Sequence, residues 1–187
     1  MNNEFSILTK SGAYFDLMSP SCNSFGLDDI AHALGNTCRF GGHTKQYYSV
    51  AQHCVLVSQI VPEKHAWAAL MHDAAEAFIG DLPTPIKNML PYYQAMENEI
   101  QQAICERLDV PETNGHIKHA DLVALATERR DLMSDQEYTW PSLKGITPLR
   151  KRIKPLHPMA ATTAFTIRAM EIRPDLYSKE AETCAHG

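Results

Sequence analysis

Six histidine and carboxylate side chains in the middle of the sequence have the types that metal-assisted hydrolysis requires. They are His53, His72, Asp73, Glu76, Asp81 and Asp121. Imidazole nitrogens and carboxylate oxygens are donors that divalent metals bind in proteins. A water bound to such a metal becomes acidic, and a neighbouring carboxylate can take its proton. The residue types therefore point to hydrolysis of a phosphoester at a metal centre.

Asp73 and Glu76 stand out because the segment around them is otherwise apolar. Residues 69–79 read Ala-Leu-Met-His-Asp-Ala-Ala-Glu-Ala-Phe-Ile. Burying unpaired carboxylates is costly, and a bound cation would compensate their charge. The spacing alone leaves a second interpretation open. A single histidine on an apolar helix face is more often packed in a core than bound to a metal, and a His-Asp dipeptide arises often by chance.

The composition fits one globular, water-soluble domain. The chain has 187 residues, a formal net charge of -5 and 44% hydrophobic residues. This length is sufficient to bury a core, and the acidic balance argues against extended electrostatic binding to nucleic acid or to an anionic membrane. The basic run Arg150–Lys154 is interpreted as solvated surface rather than a polyanion site. No apolar run is long enough to cross a bilayer.

The cysteines predict reduced thiols in a cytoplasmic protein. Their number is odd, none forms a C-x-x-C pair, and no signal peptide is expected. Zinc needs clustered ligands, so a cysteine zinc site is not expected either. The five are Cys22, Cys38, Cys54, Cys105 and Cys184.

The hydrophobic pattern predicts an all-α helical bundle preceded by a small β-hairpin. Residues 5–8 and 13–17 flank a Ser-Gly turn and form the hairpin candidate. Asp28 is the predicted N-cap of the first helix, Gly35 is its predicted stop, and Ser49 is the predicted N-cap of the second helix. The predicted helices cover residues 28–35, 49–61, 63–79, 93–108, 115–132 and 158–174.

Two segments are expected to be irregular. Residues 141–158 contain four prolines and the basic run, which predicts a long surface loop. Residues 178–187 are polar and are expected to form a frayed tail. Residues 1–187 are accordingly expected to form a single domain with its core at about 28–132.

The predicted helices would carry the candidate ligands towards one point. His53 lies inside the second predicted helix, the His72-Asp73 doublet in the middle of the third, and Asp121 early in the fifth. Three helices of a bundle can bring such side chains to one cation. Glu76 is four residues after His72 and would share its helix face.

The ligand order resembles the H…HD…D signature of the HD-domain phosphohydrolase superfamily. The stretch from His72 to Lys87 also resembles the H-D-x-x-E-x-x-x-G-D-x-P-x-P-x-K pattern of the YfbR-like 5′-deoxynucleotidases. Arg39-Phe40, fourteen residues before His53, resembles the segment where that family places an arginine against the substrate phosphate. The resemblance covers roughly residues 28–132.

The segment from Cys38 to His53 resembles a phage branch of the same group, the DatZ-like proteins. Some members of that branch are dATP triphosphohydrolases, which deplete dATP in phages whose genomes carry 2-aminoadenine. This second resemblance implies dATP as the favoured substrate, deoxyadenosine and triphosphate as the products, and the host cytoplasm as the location. The YfbR-like resemblance implies the alternative, a 5′-deoxynucleotidase that acts on monophosphates.

The first resemblance also implies a role for each matched residue. The implied metal ligands are His53, His72, Asp73 and Asp121. Glu76 would orient or deprotonate the attacking water, and Asp81 would assist near the sugar or the leaving group. Two histidines and two aspartates suit Co²⁺, Mn²⁺, Zn²⁺ or Fe²⁺, and a second cation, Mg²⁺, could accompany a polyphosphate.

The implied substrate contacts lie on either side of the ligands. Arg39 and Lys87 would neutralise phosphate oxygens. Phe40 and Pro85 would line the sugar and base pocket, although core packing of Phe40 and a helix-ending role of Pro85 remain open. Glu128, seven residues after Asp121, is expected to support a ligand or form a salt bridge. Trp140 is expected at a surface or an interface, and a contact with the base is the alternative.

Three other classes share parts of this pattern. The (p)ppGpp hydrolases have the same ligands, but the stretch from Gly80 to Lys87 favours deoxynucleotidases. HD-type di-iron oxygenases need further ligands that the sequence does not provide. A nucleotide-binding regulator would be expected to lack Glu76 or a ligand, and all are present. The relatives are homo-oligomers, so self-association as a dimer or a hexamer is implied.

Overall fold

The protein is described by a computed structural model that covers residues 3–134, 137–138 and 140–176. The predicted tail at 178–187 and Cys184 lie outside the described residues. The predicted fold class is confirmed: the chain is an all-α bundle with one N-terminal hairpin. The strands are β1 (Ser6–Leu8) and β2 (Tyr14–Asp16), and the helices are α1 (Leu27–Asn36), α2 (Val50–Ile60), α3 (Ala66–Leu70), α4 (Glu76–Ile79), α5 (Thr84–Lys87), α6 (Pro91–Arg107), α7 (Gly115–Leu132) and α8 (Pro158–Ile172).

The hairpin is antiparallel and covers one end of the core. Ile7 pairs with Phe15 at the centre of its register, and Gly12 adopts a φ of 87° in the turn, where a side chain would be strained. The Phe15 side chain is fully buried. Its ring stacks on that of Phe78 at a centroid distance of 3.8 Å, so the hairpin is anchored beside α4.

The N-terminus of α1 differs from the predicted one. Gly26, not Asp28, occupies the N-cap position. The next acidic residue, Asp29, accepts hydrogen bonds from the backbone N–H of Gly26 at 3.4 Å and from the N–H and hydroxyl of Ser11, each at 2.9 Å. The helix starts earlier because the Asp29 carboxylate satisfies the free N–H of the cap and ties it to the hairpin turn.

Gly35 does not end α1, which continues to Asn36. The glycine lies where α8 crosses α1. A Cβ atom at this position would clash with Oγ1 of Thr162 and would lie 3.1 Å from the carbonyl oxygen of Pro158. The prediction that Gly35 is a helix stop was therefore wrong, because this residue serves the close approach of two helices rather than a change of backbone direction.

The third predicted helix, 63–79, is interrupted at the His-Asp doublet. A 3-10 turn and α3 are followed by a non-helical turn at residues 71–75 and then by α4. In a continuous helix the N–H of Ala75 would donate to the carbonyl of Met71. Here the side-chain amide of Gln101 on α6 accepts from the Ala75 N–H at 3.0 Å and donates to the Met71 carbonyl at 2.8 Å. The amide thus lies between the two backbone groups that a continuous helix would join.

The other helix predictions agree closely with the structure. Ser49 caps α2 by accepting from the N–H of Gln52, and α7 begins and ends at the predicted residues with Asn114 as its cap. Residues 141–157 contain a single 3-10 turn, at Pro141–Leu143. The loop is held to α7, since the Asp131 carboxylate accepts from the N–H of Ile153 at 2.9 Å.

The core has two parts that share α2. Its first half packs with α1 and α8 through Val50, Ala51 and Cys54. Its second half packs with α3 and α7 through Val57, together with Val61 directly after the helix. No helix in the described part of the chain is both long enough and apolar enough to cross a membrane.

Candidate metal centre

Four atoms that could bind a metal come together from distant parts of the chain, and one of them is Nε2 of His53. Its Nε2 lies 3.3 Å from Nε2 of His72, 3.2 Å from Oδ1 of Asp121 and 3.5 Å from Oδ2 of Asp73. The His72 Nε2 and the Asp73 Oδ2 are 3.3 Å apart. The structure therefore brings the four predicted ligands together, on two helices and one turn rather than on three helices.

Both histidines turn the same nitrogen towards the cluster. The Nδ1 of His53 lies 2.6 Å from Oε1 of Glu128, and the Nδ1 of His72 lies 2.8 Å from the carbonyl oxygen of Ala69. Both partners can only accept while Glu128 is ionised, so each Nδ1 carries the proton. The two Nε2 atoms then point their lone pairs at each other and at the carboxylates.

This arrangement fits a cation. When the imidazoles are neutral, the Nε2 of His53 faces only acceptors, namely His72 Nε2, Asp73 Oδ2 and Asp121 Oδ1. This is unfavourable unless a positive charge lies among them. A metal bound here would be held by two imidazole nitrogens and two carboxylate oxygens, a set that suits Co²⁺, Mn²⁺, Zn²⁺ or Fe²⁺. His53, His72 and Asp73 also form a compact group in which every donor lies within 4.8 Å of the others.

In the metal-free protein a proton can take the place of that charge. Burial and the nearby Arg39 lower the pKa of His53, but the carboxylates of Glu128 and Asp121 outweigh them and raise it to about 10. Burial alone would raise the pKa of Asp121, yet its contact with His53 and the charge of His72 hold it well below its usual range. The centre therefore attracts positive charge strongly.

A buried ion pair supports the cluster from behind. The Glu128 side chain is fully buried, and its Oε2 lies 3.4 Å from Nε of Arg39. The Arg39 Nη1 is 3.5 Å from Oδ2 of Asp73. Burial raises the pKa of Glu128, but Arg39 and His53 lower it further than burial raises it. Glu128 is thus an ionised group that orients His53, as its spacing from Asp121 had suggested.

Arg39 lies in a strained turn that is hydrogen-bonded to Asp81. The turn covers Arg39–Gly42, and Phe40 has a φ of 56°, in the left-handed region that non-glycine residues seldom occupy. The N–H of Phe40 donates to Oδ2 of Asp81 at 3.2 Å. Asp81 therefore helps to position the neighbouring Arg39. The sequence did not reveal this hydrogen bond between Asp81 and the Arg39 turn.

Glu76 lies beside the doublet, although it does not share a continuous helix with His72. Its side chain is 4% exposed, and its Oε1 pairs with Nζ of Lys87 at 3.1 Å. Its Oε2 is buried without a hydrogen-bond partner among the described residues. Burial, followed by the charges of Asp73 and Asp81, raises the pKa of Glu76 to about 9 in the metal-free protein.

Lys87 is held by carboxylates instead of facing open solvent. Its Nζ lies 3.1 Å from Oε1 of Glu76 and 2.5 Å from Oε1 of Glu97. Burial lowers its pKa, but the two carboxylates raise it more, beyond its usual range. The structure places Lys87 as the partner of the candidate base, and its predicted contact with phosphate remains a prediction.

Two cavities flank the cluster. One of about 200 Å³ is lined by residues that include His72, Asp73, Glu76 and Lys87. The other, of about 520 Å³, is lined by His72, Asp121 and the beginning of α7. A larger cavity of about 740 Å³ lies between α2 and the basic run at 150–154. The larger one contains none of the four ligands, so the two smaller cavities are the candidates for substrate and water.

The residues predicted for the base pocket are only partly assembled. Phe40 is partly exposed, and its ring centroid lies 6.2 Å from that of Trp140. Arg129 lies over the Trp140 ring at 5.5 Å. Pro85 is exposed within α5, whereas Pro83 lies 3.7 Å from the position of a Cβ on Gly41. Pro83 is thus the proline next to the Arg39 turn.

Comparison with known proteins places this arrangement in a family. A model of the YfbR-like 5′-deoxynucleotidases matches residues 42–128. The uncharacterized protein YfdR of Escherichia coli K12 is 48% identical over 141 residues, which are 75% of this chain and 79% of that protein. An uncharacterized protein of Rhodobacter capsulatus is 30% identical over 179 residues, 84% of this chain and 90% of that protein.

The chain belongs to the YfbR-like family of HD-type hydrolases. The matched region contains every residue of the acidic and histidine cluster as well as Glu76, Asp81 and Lys87. Arg39 and Phe40 lie just before it. The protein is accordingly a metal-dependent phosphohydrolase of the HD type.

Proposed function

We propose that the protein hydrolyses 5′-deoxynucleotides at the bond between the α-phosphorus and the 5′-oxygen. The proposal rests on one observation: three candidate ligand atoms, from His72, Asp73 and Asp121, lie 3.2–3.5 Å from Nε2 of His53, and Glu76 is buried beside them. The deoxynucleotidase description of the matched family supports the substrate class.

The side chains divide the chemistry between them. A divalent cation held by His53, His72, Asp73 and Asp121 would supply an acidified water and polarise a phosphoryl oxygen. Glu76 would take the proton of the attacking water in its ionised form. At its metal-free pKa of about 9 the carboxyl group is protonated at neutral pH, and the charge of the bound cation would lower that pKa. Arg39 donates to a phosphoryl oxygen as negative charge develops. The bond between phosphorus and the 5′-oxygen would then break, and the proton that Glu76 has taken up would pass to this oxygen, so that the deoxynucleoside leaves as an alcohol.

The second candidate is the triphosphate reaction with dATP. Its support is the resemblance of the segment from Cys38 to His53 to the phage branch. The same attack would release triphosphate from dATP and inorganic phosphate from dAMP. The α-phosphorus is common to both substrates, so only the products separate the two reactions.

A substrate panel tests both candidates. The protein loaded with Co²⁺ or Mn²⁺ is incubated with each deoxynucleoside mono- and triphosphate, and phosphate, triphosphate and deoxynucleoside are measured. Release of a deoxynucleoside from any of them supports the proposal. Hydrolysis of none, by protein with a demonstrated bound metal, contradicts it.

Replacement of Glu76 tests the mechanism. We expect Glu76→Gln to retain the metal and to lose about 10²–10⁴-fold in kcat, because the water has lost its proton acceptor. The matched control is Glu99→Gln, which alters an exposed glutamate on α6 and should hydrolyse at the parental rate. Parental turnover by Glu76→Gln would show that another group handles the water.

Self-association belongs to the same proposal. We expect a dimer or a hexamer, as the family resemblance implies, and light scattering coupled to size-exclusion chromatography measures the mass directly. A monomer at the concentrations used in the assay would contradict this expectation and would leave the proposed chemistry intact.

A further inference from the structure

The His72-Asp73 doublet lies in the turn that separates α3 from α4. On a regular α-helix, adjacent residues do not face each other. His72 and Asp73 are adjacent, yet the Nε2 of the first and the Oδ2 of the second are 3.3 Å apart at the cluster. The non-helical turn at residues 71–75 is what allows both side chains to reach one point.

The opening coincides with the inserted amide of Gln101. Its oxygen accepts from the N–H of Ala75 at 3.0 Å, and its nitrogen donates to the carbonyl of Met71 at 2.8 Å. These are the two backbone groups that would bond to each other if α3 continued into α4. The backbone inside the turn adopts tighter bonds, with the N–H of Ala74 donating to the Met71 carbonyl and that of Glu76 to the Asp73 carbonyl.

Among uncharged side chains of this length, a primary amide suits the position best. It offers one acceptor and one donor on the same flat group, so it can satisfy an N–H and a C=O at once. Ala75 is buried, so leaving its N–H unpaired would be costly, whereas the Met71 carbonyl would keep the N–H of Ala74 as a donor.

We propose that Gln101 is a positioning residue of the metal centre: it holds the turn open and thereby sets the directions of His72 and Asp73. The inference rests on the proposed metal-dependent function and adds a residue that acts on the ligands through the backbone of the turn. Gln101 also lines the cavity of about 200 Å³ beside the cluster, so the test measures metal affinity rather than turnover. Without the amide, the Ala75 N–H is free to bond to the Met71 carbonyl, and a closed helix would turn the two ligands apart.

Gln101→Met tests the inference, because methionine has a similar length and cannot make either hydrogen bond. We expect its affinity for Co²⁺ to fall by about 10–100-fold, the usual cost of losing a group that orients metal ligands. The visible absorption spectrum of the Co²⁺ protein should change as well. The matched control is Gln102→Met on the same helix, since the side chain of Gln102 bonds only to the exposed Glu106 among the described residues.

Folding of each metal-free variant is checked by thermal unfolding before titration. If Gln101→Met does not fold, Gln101→Asn keeps an amide that is one methylene too short to bridge both groups, and the same loss is expected. Parental Co²⁺ affinity and an unchanged spectrum in either folded variant would overturn the inference.

The titration also separates this inference from the proposed function. If the parental protein binds Co²⁺ but hydrolyses no nucleotide, the proposed reaction is wrong while the role of Gln101 is still decided by the affinities. If the parental protein does not bind Co²⁺, the positioning role is overturned together with the metal centre.

Discussion

At the scale of single residues, the candidate metal centre is organised by the groups that hydrogen-bond to the Nδ1 atoms of its two histidines. Glu128 accepts from His53 at 2.6 Å and also faces Arg39, so one buried carboxylate orients a candidate metal ligand and a candidate phosphate contact together. A negative partner on Nδ1 also makes the opposite nitrogen a stronger donor to a metal. The Ala69 carbonyl orients His72 in the same way but carries no charge.

Glu128→Gln should weaken the metal centre without removing a ligand. The amide can still accept from His53 but no longer carries the negative charge that raises the basicity of the imidazole, so we expect Co²⁺ affinity to fall by about 10–100-fold. Competition with a chelator of known affinity measures the change. The exposed Glu112→Gln serves as the control, and equal affinities in the two variants would show that Glu128 does not act on the metal.

At the scale of elements, the sequence predicted those features that depend on nearby residues. The bounds of α7 and the Ser49 cap of α2 follow from local spacing and were correct. The break at residues 71–75 could not be predicted, because the apolar segment around it contains no Gly or Pro and the cause, Gln101, lies 26 residues beyond Ala75. Gly35 was misassigned for the same reason, since its contact is with α8.

The junction between the hairpin and α1 should depend on pH. Burial raises the pKa of Asp29, but hydrogen bonds from Ser11 and Gly26 lower it more, so the net shift is downward. A lowered folded-state pKa stabilises the protein above the unfolded value of about 3.9, and this contribution is lost as pH falls through the folded value. Asp29→Asn should therefore lower the free energy of unfolding at pH 7 by about 1–2 kcal/mol, and the difference should shrink below about pH 4.

Urea unfolding at pH 7 and at pH 3 measures that difference. The matched control is Asp28→Asn, because Asp28 is exposed beside Asp29 and both substitutions remove one charge near the start of α1. Each loses the interaction with the helix dipole, about 0.3–1 kcal/mol, so the excess loss in Asp29→Asn reports the bonds to Ser11 and Gly26. Equal losses in the two variants would contradict this assignment.

At the scale of the whole molecule, the cluster joins elements that are far apart in the chain. His53 comes from α2, which both parts of the core share, Asp121 comes from α7, and His72 and Asp73 come from the opened turn. A cation at their meeting point would connect these elements as a cross-link does. Its binding free energy would be available only to the folded state, because the ligands are not assembled in the unfolded chain.

Metal binding should consequently stabilise the entire fold. At a free metal concentration of 100 times Kd, the free energy of unfolding should rise by about 2.7 kcal/mol, and Tm by roughly 5–11 °C for a chain of this size. Calorimetry with Mn²⁺ or Co²⁺, followed by addition of a chelator, measures the shift and its reversal. His72→Ala should lose the response because a ligand is missing, whereas Glu76→Gln should keep it because the proton acceptor is not a ligand. An equal rise of Tm in His72→Ala would mean that the metal binds elsewhere on the molecule.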